Sequence, residues 1–251
     1  MSSAYLLVSH GSRDPRPQIA MEQLARLISQ SPTRIAASGG SLRNYGMVPH
    51  GLVGIACLEL SPDPLHEQIK KFGDRAVRSG CNRLQIVPLF LLPGMHVMED
   101  IPSEVAIAQQ TLGQELKIDL RPHLGTHPDL EQLLATQMAG TAASSWILLA
   151  HGSRRAGSLQ PVEAMAKQLA AVAAYWAVPP RLESRVKELV DAGYEKIGIL
   201  PYFLFAGGIT DAIAQSVEQL KVEFPGANLL LAEPLGASTQ LADLIWDLIE
   251  K

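Results

Sequence analysis

The sequence predicts an α/β protein built as two doubly wound parallel-sheet units in tandem, and three observations predict it. Short apolar runs ending in Gly and Ser alternate with amphipathic segments of helical spacing, as in a parallel sheet covered on both faces. One passage occurs twice: AYLLVSHGSRDPR at Ala4 to Arg16 returns as WILLAHGSR at Trp146 to Arg154, so that His151, Gly152, Ser153 and Arg154 fall where His10, Gly11, Ser12 and Arg13 fell. The third is length, because 251 residues with a repeat starting near the midpoint divide into two domains, 1–140 and a shorter 141–251, each able to bury a core.

Taken in order, the run from Ala4 is a buried strand that stops at His10 and hands over to a tight loop. Pro17 to Gln30 follows as a helix, with Ile19, Leu24, Leu27 and Ile28 on the face toward the sheet. Ser31 to Gly51, rich in Gly, Ser and Pro, is long for a connection in a compact domain and is expected to act as a lid over a ligand. Leu52 to Leu60 is the second strand, with Glu59 at its carboxyl end. Leu65 to Ser79 is a helix stopped by Gly80, Leu84 to Leu91 the third strand, and LLPGMHVMEDIP a loop carrying His96 and Asp100. Ile101 to Leu116 is helical, Lys117 to Arg121 a short strand, and a helix from Pro128 to Met138 completes the unit. The second unit repeats the order in less space. His10 and His151 are offset by 141 and Pro88 and Pro201 by 113, so 28 residues are missing, most of them from the counterpart of the long Gly and Ser stretch.

Composition narrows the function. A net charge of -4 and a pI near 6.0 argue against nucleic acid, whose phosphates need a basic face. The N-terminus lacks a basic start and a long apolar run, and no segment has the length of a membrane span, so a cytoplasmic protein is expected. Cys57 and Cys81 form no CxxC pair and read as ordinary thiols.

The repeat separates scaffold from chemistry. HGSR stands in both copies, but His96 has Ile209 or its neighbours opposite it, and Glu59 has Trp176 or Ala177. In a parallel sheet His10, Glu59 and His96 all stand at carboxyl ends of strands, on one edge, where they converge. Two imidazoles and a carboxylate suit a divalent first-row metal, and neutral imidazole also takes up a proton near pH 7. His123 and His127 have a spacing found in zinc sites but no cysteine or carboxylate pattern, and read as loop histidines. His50 lies in a loop and His66 at a helix start, and neither is counted among the ligands. Arg13, Arg16, Arg154 and Arg155 follow strand ends at helix starts, and read equally as solvated charge or as ligands for carboxylates.

The same passages carry a resemblance. Across nearly its full length the chain resembles a class II tetrapyrrole chelatase of the CbiX type, a sirohydrochlorin chelatase, through SHGSRDPR, CLELSPDPL and VPLFLLPGMHVMEDIP in the first half and AHGSR, AYWAVPPRLESRV and PYFLFAGGITDAI in the second. The resemblance implies two flavodoxin-like domains facing a central cleft, with the macrocycle between them, and carries the family's metal-site histidines to His10 and His96 and its acidic partner to Glu59. It implies a lyase that takes Co²⁺ or Fe²⁺ as substrate and inserts it into sirohydrochlorin, for cobalamin or sirohaem synthesis, with no organic cofactor. Gly11, Ser12, Arg13, Leu92, Met95, His151 and Arg154 are the expected substrate contacts, the apolar ones against the ring and the arginines on its acidic side chains. An internal repeat supplies the two-fold cleft that a shorter chain makes by dimerising, which favours a monomer and leaves a dimer open. The alternative is a non-catalytic tetrapyrrole or metal carrier on the same fold. A histidine phosphatase is set aside, since that chemistry wants Arg immediately before His-Gly and Ser9 stands there.

Overall fold

The computed structural model describes residues 3–30 and 51–250. His50 and all but the last residue of the Ser31 to Gly51 stretch, and with them the expected lid, lie outside the described residues. The first unit is a four-stranded parallel sheet of β1 (Ser3–Ser9), β2 (Val53–Cys57), β3 (Arg83–Pro88) and β4 (Lys117–Leu120), in the order β2-β1-β3-β4. Its helices are α1 (Pro15–Gln30), α2 (Leu65–Arg78), α3 (Ile101–Leu112) and α4 (Leu130–Ala139). The second unit repeats the topology, with β5 (Ser145–Ala150), β6 (Val172–Tyr175), β7 (Lys196–Pro201) and β8 (Asn228–Leu231) in the order β6-β5-β7-β8. Its helices are α5 (Gln160–Gln168), α6 (Leu182–Asp191), α7 (Gly208–Glu223) and α8 (Thr239–Glu250). The predicted class, a doubly wound α/β unit in tandem, is the observed one.

The pleat sorts each central strand between two cores. Leu6 and Val8 of β1 face α2 and α3, where they meet Ile69, Phe72 and Ile101. Leu7 faces the other way, onto Met21, Leu24 and Ile28 of α1. In β5, Ile147 and Leu149 face α6 and α7, while Trp146 and Leu148 face inward. The inward faces of both sheets share one core, filled by apolar residues of α1, α4, α5 and α8, so these four helices form a layer between the sheets. Helix α8 belongs to the second unit by sequence yet lies on the first. Trp246 Nε1 donates to the Ile28 carbonyl at 3.2 Å, its ring stands edge-on to Tyr5 at 5.2 Å, and Arg121 Nε donates to the Leu248 carbonyl at 2.8 Å.

Several expected boundaries move. Helix α1 begins at Pro15, and its buried stripe is Met21, Leu24 and Ile28; Ile19, expected inside, is 60% exposed. Helix α3 stops at Leu112 rather than Leu116, because Gly113 turns the chain at a φ of 64°. Strands β2 and β3 end at Cys57 and Pro88, earlier than expected, and release longer loops at the sheet edge.

Candidate metal centre and the cavity beside it

The register pairs Ser9 with Cys57 and Val8 with Pro88, so the loops after β1, β2 and β3 leave from one edge. Backbone pairing continues past the strands: Leu58 N–H donates to the Ser9 carbonyl and Glu59 N–H to the His10 carbonyl, both at 2.9 Å. Gly11 adopts a φ of 100°, and a Cβ there would sit 2.0 Å from the Glu59 carbonyl oxygen. Only glycine lets the loops touch so closely, and their contact sets His10 beside Glu59, with Nε2 3.9 Å from Oε2.

His96 arrives differently. The expected loop is a single π-helical turn, His96–Asp100, opening into α3, and the Ile101 N–H donates to the His96 carbonyl. The turn brings the Asp100 carboxylate 2.7 Å from His96 Nδ1. That bond keeps the proton on Nδ1 and leaves the Nε2 lone pair for a ligand, the orientation that carboxylate partners impose on metal-binding imidazoles. The rings of His10 and His96 stand edge-to-face at 4.9 Å, with Phe90 6.5 and 6.2 Å from them. One ligand atom from each of His10, Glu59 and His96 lies within 4.8 Å of the others. A first-row ion with bonds of about 2.0–2.2 Å asks for donors slightly closer, within reach of a side-chain rotation. Half of each His10 and Glu59 side chain is exposed, so the group is open to exchange on one side.

His10 also lines a cavity of about 900 Å³ between the two units, whose lining does not include Glu59 or His96. The first unit lines it with His10, Gly11, Ser12, Ile19 and Leu60, the second with His151, Phe203, Leu204, Phe205 and Ile209. Ile19 and Leu60, 60% and 56% exposed, thus have an apolar space to face. Of the expected substrate contacts, Gly11, Ser12 and His151 line the cavity, and Arg13, Leu92 and Met95 do not. Leu92 packs against the shared core, and Met95 is 55% exposed. The apolar wall expected from them comes from the loop after β7 instead, PYFLFAGG, at the position where the first unit carries its second histidine. Arg154 lines a separate cavity of about 600 Å³ in the second unit.

Ion pairs join the units beside the cavity. The Arg16 guanidinium bonds Asp14 and, through Nη1 at 2.9 Å, Asp211 at the start of α7; its hydrogen bonds hold both carboxyls below their usual range. Arg155 of the second unit lies 3.9 Å from Glu99 of the first. An arginine shortly after each HGSR therefore reaches the segment after the third strand of the other unit.

His66, His123 and His127 are structural. His66 is held by Glu104, which accepts from its backbone N–H at 2.7 Å and lies 2.9 Å from Nδ1. His123 and His127 lie in loops as expected but are buried, 8% and 3% exposed. His123 Nδ1 donates to the Phe90 carbonyl at 3.0 Å, and burial pushes the imidazole below its ordinary pKa. His127 does have carboxylates near it, Asp129 and Asp247, which sequence spacing could not reveal. Its Nδ1 accepts from the Asp129 N–H at 3.1 Å, so the neutral ring turns the proton on Nε2, not a lone pair, toward Asp247.

A model of the CbiX family matches residues 4–141 and 145–251. A sirohydrochlorin ferrochelatase of Priestia megaterium is 24% identical over 185 residues, 68% of this chain and 68% of that protein. A sirohydrochlorin cobaltochelatase of the same organism is 22% identical over 194 residues, 71% of this chain and 63% of that protein. Among solved structures, SirB from Bacillus subtilis with Fe³⁺ shares the fold at a TM-score of 0.76 and 21% identity, over 100% of this chain and 95% of that one. The sirohydrochlorin chelatase SirB from Bacillus subtilis subspecies spizizenii in complex with cobalt does so at 0.72 and 21%, over 100% and 94%.

Proposed function

The chain belongs to the CbiX family, and from that membership we propose that it is a metal chelatase, a lyase that inserts Co²⁺ or Fe²⁺ into sirohydrochlorin for cobalamin or sirohaem synthesis. The observation that carries this reading is the convergence of His10, Glu59 and His96 on one point, with His10 also lining an apolar cavity between the units. The names of the relatives and of the cobalt- and iron-bound SirB structures support the choice of macrocycle and metals.

Metal insertion asks the ion to shed water, the ring to present its nitrogen lone pairs, and two inner N–H protons to leave. His96, oriented by Asp100, and His10 take the ion through imidazole nitrogen, and Glu59 supplies an anionic oxygen that offsets part of its charge. As the ion passes to the ring, the same imidazoles become free to accept the departing protons, and Glu59, 3.9 Å from His10 Nε2, stabilises the imidazolium. Ile19, Leu60, Phe203 and Phe205 give the ring's faces an apolar lining that excludes water from the exchange. The metal is a substrate, and no organic cofactor is required. Cys57 and Cys81, without CxxC spacing, support a cytoplasmic setting, and no helix among the described residues is long and apolar enough to cross a membrane. A cavity completed within one chain supports a monomer.

The test is anaerobic absorbance of sirohydrochlorin with Co²⁺ or Fe²⁺, read against the spontaneous rate. Many turnovers per protein are expected, with His10→Ala and His96→Ala each slower by at least about 10²-fold. A spectral change that stops at one equivalent would replace the chelatase with a carrier.

A further inference from the structure

The second unit contains the counterpart of the metal edge, without its Glu59 and His96 and with arginines in the loops beside it. Backbone bonds establish which positions correspond. Asp14 N–H donates to Ser12 Oγ at 3.0 Å, and Arg155 N–H to Ser153 Oγ at 3.2 Å. Glu59 N–H donates to the His10 carbonyl, and Ala177 N–H to the His151 carbonyl. Pro64 is the residue before α2, and Arg181 the residue before α6. Asp14 and Glu59 are thus answered by Arg155 and Ala177, and Pro64 by Arg181, with Arg154 standing where Arg13 stood.

These three arginines line one cavity of about 600 Å³ together with Ser153, and Glu163 is the one acidic residue in its lining. Arg181 Nη1 is used by the Trp176 carbonyl at 3.2 Å, and Arg155 approaches Glu99 only to 3.9 Å, so the guanidinium forks keep donors to spare. Ala177 brings no carboxylate to the place where the first unit has Glu59. Planar forks arranged around a concave space match the bidentate geometry of carboxylates.

We propose that this cavity is a carboxylate-binding site, formed by Arg154, Arg155 and Arg181 on the loops after β5 and β6, the counterparts of the loops that carry His10 and Glu59 in the first unit. Its occupant is either a peripheral carboxylate of the macrocycle or a separate small polycarboxylate. Only the first source rests on the chelatase reading; the site itself does not.

The test is calorimetric titration of citrate into the metal-free full-length protein at low salt. Saturable binding at one equivalent is expected, weakened tenfold or more by Arg154→Gln and by Arg181→Gln, partly restored in Arg181→Lys, and unaltered in His10→Ala. The glutamine variants are checked for an unchanged melting temperature. No saturable binding, or the same affinity in both glutamine variants as in the wild type, would overturn the proposal. Competition between citrate and sirohydrochlorin assigns the site to the macrocycle's own carboxylates, and simultaneous binding assigns it to a separate anion, both with the arginine dependence intact. Failure of the chelatase reading shows instead as loss of turnover with citrate binding retained.

Discussion

At His96 the proton on Nδ1 is held by a carboxylate 2.7 Å away, which fixes the tautomer before any ion arrives. Asp100→Ala is expected to weaken Co²⁺ binding by about 10–100-fold, measured by titration of the folded variant, while costing less than about 1 kcal/mol of stability because the pair is partly exposed. Both residues were readable in HVMED, but their relation was not, since an i, i+4 pair meets only on a helical backbone and the preceding Pro93 and Gly94 made the passage read as a loop. His10, Glu59 and His96 were legible for the opposite reason: the second copy lacks two of the three, and strand-end placement in a parallel sheet supplies the convergence. The second unit's apolar wall, Phe203 to Ile209, escaped notice because sequence gives no measure of how two units face each other. His123 carries a pH dependence. Burial lowers its pKa from the ordinary 6.5, so just below that value the folded protein binds fewer protons there than the unfolded chain. Its stabilising contribution is full above about pH 6.5 and declines as pH falls toward the lower folded value. Calorimetry is expected to show a smaller loss of melting temperature between about pH 7.5 and pH 5 in His123→Gln than in the wild type.

Among the elements, the order of strands and helices followed from the sequence, whereas their ends did not. Apolar periodicity continues through Leu58, Leu60 and Leu91 although the ladders stop at Cys57 and Pro88, because residues leaving a sheet edge can stay apolar when they face a cavity or a core. Ile19 was misplaced for the same reason: its apolar side chain faces ligand space rather than α1's core. Helix α8 bears most directly on stability. Leu241 and Ile245 are fully buried in the core shared by both sheets, so alanine at either is expected to cost about 2–5 kcal/mol. Since α8 lies on α1 and β3, the loss should appear as faster amide exchange in β3 as well as in β7. Faster exchange confined to the second unit would contradict a shared core.

For the whole molecule, the two units behave as one body joined twice beside the cavity, by Arg16 to Asp211 and by Arg155 toward Glu99. The Arg16 cluster is solvent-exposed, and its carboxyls, held below their ordinary pKa, contribute above the usual carboxylate range and lose that contribution as pH falls through their lowered values. Its work is geometric, keeping the start of α7 against the HGSR loop. Arg16→Met is therefore expected to leave the melting temperature within about 2 °C but to raise KM for the macrocycle several-fold, measured in the absorbance assay. The placement of α8 also has a consequence during synthesis. Trp246 bonds to a carbonyl 218 positions upstream, and a ribosome adding about 5–20 residues per second needs roughly 10–40 s to cover that distance. Until α8 is made the inner face of the first sheet has α1 and α4 but not its last covering helix, so the nascent chain offers chaperones an apolar surface that closes only after every strand of both sheets has been made.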